Sequence, residues 1–310
     1  MSIIERIAEL LGSDPQAQQK HSAVGQGAVI ATQDPFERAA GEIIGRPDFP
    51  GLRDPSSESR SSKPAHSANR AARTFRIDRD RLRRQNVITP DGERTTITES
   101  FRHIKRQILA NVARPGTDAP PANLVLVTSA LPGEGKTFCA INLAISIALE
   151  MDRTVLLVDA DAAKPGVPKA LGLEVEKGLM DVLVDRQLDL AEVLCWTDID
   201  KLTILLAGTA NQHATELLAS DAMRVLLQEM TGRHRDRIVI FDSPPLLEAS
   251  EAAVLAGQVG QIIVVVEAGK TSEAALKDAL SRIDSSKVAG LLLNKRDGHR
   301  LGAYGYGVYG

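Results

Sequence analysis

The sequence predicts an α/β fold in which a parallel β-sheet is covered by helices on both faces. From about residue 95 onward, six short runs rich in Val, Ile and Leu alternate with helical stretches of mixed polarity. The runs are NLVLVTS, TVLLVDA, LTILLAG, RIVIFD, QIIVVVEA and VAGLLLN, and the clearest helices are TFCAINLAISIALE, ATELLASDAMRVLLQEM and TSEAALKDALSRI. Strands that are apolar along their whole length are typical of parallel sheets buried on both faces.

The overall composition indicates a globular protein without a disulfide framework. Of the 310 residues, 43% are hydrophobic and 25% are charged, and the net charge of -3 points to no particular partner. The two cysteines, Cys139 and Cys195, suit a reducing cytoplasm. No segment approaches the about 18–20 consecutive apolar residues that span a bilayer. We therefore expect a chain that does not insert into a membrane by itself, although a partner could hold it there.

Two segments precede the predicted domain. Residues 1–12 predict an amphipathic helix, because their Ile and Leu residues fall on one helical face and Gly12 ends the run. A lone short helix is marginal in water, so this one packs either on its own domain or on another protein. Residues 13–93 are rich in Ser, Pro, Gly, Gln and Arg and predict a disordered linker. Acidic residues interrupt its basic end, so we expect no nucleic-acid partner.

A glycine-rich loop follows the first predicted strand. The sequence ALPGEGKT, from Ala130 to Thr137, has the spacing of a P-loop, with Ala130 in place of the first glycine. The N–H groups of such a loop cradle phosphate oxygens, and the following helix adds its positive end. Lys136 can reach the β- and γ-phosphates, and the Thr137 hydroxyl can bind Mg²⁺. The sequence therefore predicts a P-loop NTPase fold with these nucleotide-binding residues: Pro132, Gly133, Glu134, Gly135, Lys136, Thr137 and Phe138.

Carboxylates end two further strands. Asp159 and Asp161 are two apart, so on an extended chain their side chains share one side. Asp242 ends a third strand at the same predicted edge and resembles a Walker B aspartate, acting on Mg²⁺ directly or through water. Mg²⁺ keeps several waters, so three carboxylates exceed what it needs and one is free to act as a base. That base could position water, as in an ATPase, or accept a hydroxyl proton, as in a kinase.

All three tyrosines lie in the glycine-spaced tail of residues 301–310: Tyr304, Tyr306 and Tyr309. A phenol has an ordinary pKa of about 10 and needs a base to react at neutral pH. A glycine-rich tail is flexible and could reach the active site of a neighbouring copy. The alternatives are an adhesive disordered end or an aromatic flap that packs on the domain.

With these motifs, the chain resembles the bacterial tyrosine autokinases, or BY-kinases, of exopolysaccharide biosynthesis and export, including the exosortase-associated type. The resemblance covers roughly residues 95–310. It rests on VTSALPGEGKT as Walker A, LLVDADAAKP as Walker A′, IVIFDSPPLL as Walker B, and the tyrosine cluster. The segment ESFRHIKRQIL resembles the family's Glu-x-x-Arg-x-x-Arg pattern. Residues 94–300 would then be the kinase domain.

The resemblance implies an ATP- and Mg²⁺-dependent kinase that phosphorylates its own tyrosine cluster between subunits and regulates polysaccharide polymerisation or export. It also implies a transmembrane polysaccharide co-polymerase as activator, which would hold this cytoplasmic chain beside the inner membrane. A homo-oligomeric ring would form through Glu99 and Arg102, with Lys105 where the second arginine is expected.

The resemblance also distributes roles among the site residues. Lys136 and Thr137 would bind nucleotide and Mg²⁺, and Asp159 would be the favoured base. Asp161 and Asp242 would lie on the metal side, although the division of roles among the carboxylates stays open. The family often has an arginine two residues after the second Walker A′ aspartate, where this chain has Ala163 followed by Lys164. Lysine lacks the bidentate fork of arginine, so this difference bears on the kinase rate.

Three other functions remain open. A positioning ATPase of the MinD and ParA type would carry a signature lysine where this chain has Leu131. A GTP switch is suggested by the segment 294–297, Asn-Lys-Arg-Asp, although we expect Asn294 to lie near an adenine. A non-catalytic, nucleotide-dependent assembly module would use the tail to bind a partner.

Overall fold

The structure, a computed structural model, describes four ranges of the chain: 74–113, 120–174, 177–232 and 236–296. All four ranges belong to the unit that spans residues 66–310. The predicted N-terminal helix, most of the predicted linker and the tyrosine tail lie outside the described residues.

Eight strands form one sheet in the described part of the chain. They are β1 (Thr74–Phe75), β2 (Leu124–Ser129), β3 (Thr154–Asp159), β4 (Cys195–Thr197), β5 (Leu202–Leu205), β6 (Arg237–Asp242), β7 (Gln261–Glu267) and β8 (Val288–Asn294). Their order is β1-β4-β5-β3-β6-β2-β7-β8. The six predicted strands are confirmed as β2, β3 and β5 to β8, and all neighbours among these six are parallel. Strands β1 and β4, which the sequence did not predict, run opposite to them because β4 pairs antiparallel with β5.

Ten α-helices connect and cover these strands within the described ranges. They are α1 (Arg79–Arg84), α2 (Thr96–Ala113), α3 (Lys136–Ala148), α4 (Val167–Leu171), α5 (Leu179–Val184), α6 (Leu190–Val193), α7 (Ala214–Leu218), α8 (Asp221–Gly232), α9 (Ser250–Gln258) and α10 (Glu273–Ser281). The helix predicted over ATELLASDAMRVLLQEM is divided into α7 and α8. None of the helices described has the length and apolarity needed to cross a bilayer.

Alternate residues of the central strands face opposite sides of the sheet. Val125 and Val127 of β2 join a core cluster with α2 and α3, whereas Leu124 and Leu126 join a cluster with α5, α8 and α10. This alternation confirms that the sheet is covered on both faces, and it explains why the strands are apolar along their length.

The fold begins earlier than the sequence predicted. The predicted disordered linker extended to residue 93, but residues from Thr74 onward form β1 and α1 and pack on the domain. Ile77 and Leu82 are 2% and 0% exposed, and both belong to the core cluster that contains α2 and α3. Burial of these few apolar side chains holds the segment in place although its composition is charged. Asp78 also caps α1 by accepting the N–H of Asp80.

Candidate active site

The glycine loop joins β2 to α3, as predicted. Gly133 and Gly135 have φ angles of +80° and +97°, in the left-handed region that glycine adopts without strain. Gly135 precedes the first residue of α3, so the positive end of this helix faces the loop. A Cβ atom at Gly135 would lie 2.1 Å from Nδ2 of Asn294, so no other residue fits here without displacing that side chain.

Asn294, the last residue of β8, and Lys295, which follows it, donate hydrogen bonds to the backbone of the loop. Nδ2 of Asn294 donates a hydrogen bond to the carbonyl oxygen of Glu134 at 2.9 Å. Nζ of Lys295 donates to the carbonyl oxygen of Gly133 at 2.6 Å. The side-chain amide of Asn294 is engaged with the backbone of the loop, and its expected position near an adenine stays a prediction. Its position supports the shape of the loop.

Two of the three predicted carboxylates are brought together and buried. Strands β3 and β6 are neighbours, and Asp159 lies opposite Asp242 in their register. Asp159 is 0% exposed, and its two carboxylate oxygens accept the N–H groups of Asp161 and Val167 at 3.2 and 3.0 Å. Asp159 therefore fixes the course of the chain that follows β3.

Burial raises the pKa of both carboxyl groups. The pKa of Asp159 rises to about 7, chiefly because burial disfavours its charged form, although backbone hydrogen bonds oppose the rise. The pKa of Asp242 rises to about 8, through burial first and the nearby Asp159 carboxylate second. A hydrogen bond from the Thr137 hydroxyl and the charge of Lys136 act in the opposite direction. A bound cation would relieve the cost of ionising this pair.

Asp161 is more accessible than the other two carboxylates. It is half-buried, and its Oδ1 accepts the N–H of Lys164 at 2.9 Å. Burial raises its pKa, while that backbone hydrogen bond and the charge of Lys136 act to lower it. The Lys164 side chain is 79% exposed, and its Nζ lies 3.8 Å from Oε2 of Glu248. The residue near the expected Walker A′ arginine is therefore exposed, although its charge also acts to lower the pKa of Asp161.

The residues around Asp242 fit a Mg²⁺ ion. Oδ1 of Asp242 is buried and has no hydrogen-bond partner among the described residues. The Thr137 hydroxyl reaches the same place, and it packs so closely on Gly166 that a Cβ atom there would lie 2.5 Å from it. In the part of the chain that the structure describes, no three His, Cys, Asp or Glu residues form a metal cluster. A site of one hydroxyl and few carboxylates suits Mg²⁺, which keeps much of its water.

The segment predicted to join subunits lies on α2. Glu99 and Arg102 are exposed or nearly so and form an ion pair of 2.6 Å, beside a cavity of about 330 Å³. Lys105 differs from the expectation, because its side chain turns into its own domain. Its Nζ donates to the carbonyl oxygen of Ser146 at 3.0 Å and lies 2.5 Å from Oε1 of Glu150. Of these three residues, Glu99 and Arg102 are the ones whose side chains stay accessible for a contact between subunits.

A supporting residue of the loop was missed by the sequence analysis. The Thr271 hydroxyl, in the turn after β7, donates a hydrogen bond to Oε1 of Glu134 within the loop. The two residues are 137 positions apart, and no local pattern marks Thr271. Only the parallel pairing of β2 with β7 brings them together.

Comparisons with known proteins agree with this geometry. The model of the AAA domain family matches residues 123–294, the part that contains the sheet and the glycine loop. The chain is 32% identical over 236 residues to the tyrosine-protein kinase YwqD of Bacillus subtilis (strain 168), covering 75% of this chain and 95% of that protein. It is 33% identical over 231 residues to the succinoglycan biosynthesis transport protein ExoP of Rhizobium meliloti (strain 1021), covering 72% of this chain but 28% of that protein.

Among solved structures, the kinase domain of the Escherichia coli tyrosine kinase ETK is similar, with a TM-score of 0.59 and 25% identity. This match covers 75% of this chain and 93% of that domain. The fold and the site thus define a nucleotide-binding domain of the P-loop class. Within this class, the chain belongs to the family of bacterial tyrosine-protein kinases.

Proposed function

We propose that this chain is an ATP-dependent protein tyrosine autokinase that phosphorylates Tyr304, Tyr306 and Tyr309 of a neighbouring copy. One observation carries the proposal: a glycine loop with Lys136 shares one sheet edge with a buried carboxylate pair and a more accessible third carboxylate. Its membership of a tyrosine-kinase family supports a phenol as the acceptor.

The phosphate-binding part of the mechanism rests on the loop and on α3. The loop N–H groups and the Lys136 ammonium would hold the β- and γ-phosphates of ATP. The Thr137 hydroxyl and Asp242 would hold Mg²⁺, which when bound neutralises charge on the phosphate oxygens. The unpartnered Oδ1 of Asp242 supports this assignment, because a buried carboxylate oxygen without a donor is costly unless a ligand completes it.

The contacts favour a different residue as the general base from the one that the sequence favoured. Asp159 was the favoured base, but it is fully buried and both of its oxygens accept backbone N–H groups. Asp161 is more accessible, and its raised pKa brings it nearer to that of a phenol. We therefore assign the base to Asp161. It would take the phenol proton while the phenol oxygen bonds to the γ-phosphorus and the bond to the β–γ bridging oxygen breaks, releasing ADP.

The proposal is tested by incubating the purified chain with labelled ATP and Mg²⁺, with its membrane partner supplied. We expect phosphotyrosine in the last seven residues, and none in Lys136→Met or in the chain with all three tail tyrosines changed to phenylalanine. If the activated chain binds ATP but never acquires phosphotyrosine, the kinase proposal is wrong. Ring assembly without phosphotyrosine would instead favour a nucleotide-dependent assembly module.

The proposed setting is polysaccharide export. ExoP, which is similar to this chain over part of its length, is named for succinoglycan biosynthesis and transport. A cytoplasmic chain held at the inner membrane by a transmembrane co-polymerase, and assembled as a ring through the α2 face, would couple phosphorylation to polysaccharide polymerisation or export. Co-purification of the chain with a transmembrane co-polymerase from the same cells would test this arrangement.

A further inference from the structure

The glycine loop contains a buried acid whose side chain has no role in the proposed reaction. Glu134 is 2% exposed although it lies between the two loop glycines. Its Oε2 accepts the N–H of Leu131 at 2.8 Å, and its Oε1 accepts the Thr271 hydroxyl. Both contacts hold the carboxylate in place.

A carboxylate here requires an explanation. The loop is built to receive phosphate oxygens, and a negative side chain so near them opposes their binding. Burying a charge is also unfavourable unless hydrogen bonds satisfy it. The two hydrogen bonds of Glu134 compensate for this cost. They connect the Leu131–Glu134 segment, through the Glu134 carboxylate, to Thr271.

Thr271 is itself held to the sheet. Its hydroxyl oxygen accepts the N–H of Glu267 at 3.0 Å, and its own N–H donates to the carbonyl oxygen of Glu267 at 3.1 Å. The residue therefore bridges the end of β7 to the glycine loop. Its hydroxyl serves as donor and acceptor at once, a pair of roles that valine, which has the same shape, cannot fill.

A second connection reaches the loop from β8. Asn294 and Lys295 bond the carbonyl oxygens of Glu134 and Gly133, and Nζ of Lys295 lies 3.4 Å from Oε2 of Glu267. We call Glu134, Thr271, Asn294 and Lys295 the loop brace. Asn294 and Lys295 occupy two carbonyl oxygens of the loop, and Glu134 accepts the N–H of Leu131 at its start.

We propose that Glu134 and Thr271 are positioning residues that hold the glycine loop in its phosphate-binding conformation before the nucleotide arrives. Without this hydrogen bond, the loop samples other conformations. The apparent affinity for nucleotide then falls in proportion to the fraction of molecules whose loop keeps the phosphate-binding conformation. The inference rests on the proposed function only in that the loop binds a nucleotide. It does not require transfer to tyrosine.

The test measures binding of Mg²⁺–ADP by calorimetry to the full chain, with the tail tyrosines changed to phenylalanine. We expect Thr271→Val to weaken binding by about tenfold, because a charged acceptor loses its donor. Thr271→Ser keeps the hydroxyl and is expected to bind within about twofold of the parent. In a Glu134→Ala background, Thr271→Val is expected to cost no further affinity, since the acceptor of its hydrogen bond is already gone.

Ser272→Ala is the matched control. Ser272 is the next residue along the chain, and its hydroxyl caps α10 by accepting the N–H of Ala275 at 3.1 Å. Its loss lowers stability without touching the loop, so Mg²⁺–ADP affinity is expected to persist. The proposal is overturned if folded Thr271→Val binds like the parent, or if Ser272→Ala loses as much affinity. Should Thr271→Val not fold, unchanged affinity in Glu134→Ala overturns it equally. Mg²⁺–ADP binding is measured without phosphate transfer. A failed kinase assay would therefore not decide whether the loop brace holds the loop.

Discussion

The buried carboxylate of Asp242 is the feature of the site that is most unfavourable for the stability of the unliganded fold. Its carboxylate is 1% exposed, one oxygen lacks a partner among the described residues, and a second buried carboxylate, Asp159, lies opposite. Such an arrangement favours the neutral acid in the free protein and the charged form once a cation is present. In the proposed site, Asp242 would thus contribute to Mg²⁺ binding at the expense of the stability of the unliganded fold.

The first prediction concerns Asp242→Asn. The folded-state pKa of Asp242 is raised from 3.8 to about 8, so the folded chain binds more protons than the unfolded chain across that window, and stability falls as the pH rises through it. Removing the group abolishes this loss. One pKa unit is about 1.4 kcal/mol, or about 3–5 °C of Tm in a domain of this size, and we expect a gain of at least that at pH 8.

The measurement is thermal unfolding without nucleotide and with a chelator present. The gain should shrink as the pH falls toward 3.8, because the unfolded chain then also becomes protonated. Asp181→Asn provides a contrast: burial acts to raise the pKa of Asp181, but hydrogen bonds from Thr209 and Gly178 outweigh it and lower the pKa. This variant is expected to lose stability at pH 8. Equal or lower Tm for Asp242→Asn at every pH would contradict the assignment.

A second prediction separates Asp161 from Asp159 through the kinase reaction. If Asp161 is the base, Asp161→Asn is expected to lower the rate of tyrosine labelling by about 10²–10⁴-fold while the folded chain keeps its Tm. Asp159→Asn is expected to disturb the backbone between Asp161 and Val167, whose N–H groups it accepts, and thereby also weaken Mg²⁺–ADP binding. Identical profiles for the two variants, in rate and in binding, would remove the distinction.

At the scale of elements, the sequence predicts what local patterns encode. The six central strands follow from their apolar runs, and the glycine loop follows from its spacing. Strands β1 and β4 were missed because two and three residues form no pattern. The segment from Thr74 was assigned to a linker because its buried residues are isolated among Arg and Asp. Thr271 was missed because its contact depends on strand pairing alone, and Lys105 because its surroundings belong to α3.

The element α1 supplies a third prediction. Leu82 is 0% exposed, so Leu82→Ala is expected to cost about 2–5 kcal/mol and to lower the Tm by roughly 5–15 °C. Val225 of α8 is 63% exposed, and Val225→Ala should change stability by about 0.5 kcal/mol at most. Thermal unfolding of the full chain compares the two. If both variants unfold like the parent, residues 74–93 do not pack on the domain.

The glycine loop supplies a fourth. Gly135→Ala introduces a side chain at φ +97°, 2.1 Å from Nδ2 of Asn294, so we expect loss of Mg²⁺–ADP affinity by more than about tenfold. Gly257→Ala is the matched control, because a Cβ atom there meets nothing within 4 Å and the residue lies inside α9. It is expected to retain affinity and gain up to about 1 kcal/mol of stability. Full affinity in Gly135→Ala would contradict the loop geometry described above.

At the scale of the whole molecule, the proposed transfer between copies makes a fifth prediction. Lys136→Met cannot transfer phosphate, and the chain without tail tyrosines cannot accept it. Mixing the two, with the activator present, is expected to restore labelling, and only on the Lys136→Met chain. The initial rate should rise with total protein concentration. If the unmodified chain becomes labelled but the mixture of the two variants does not, the phosphate is transferred within one chain.

The edge strand β1 is very short. Strand β1 contains two residues; Arg76 follows it directly, and Arg79 begins α1. A brief, charged border offers an incoming strand few backbone groups to pair with, which is how many proteins avoid edge-to-edge aggregation. We therefore expect copies of this chain to associate through side-chain surfaces that can separate again, rather than by extending the sheet from β1 into a continuous fibre.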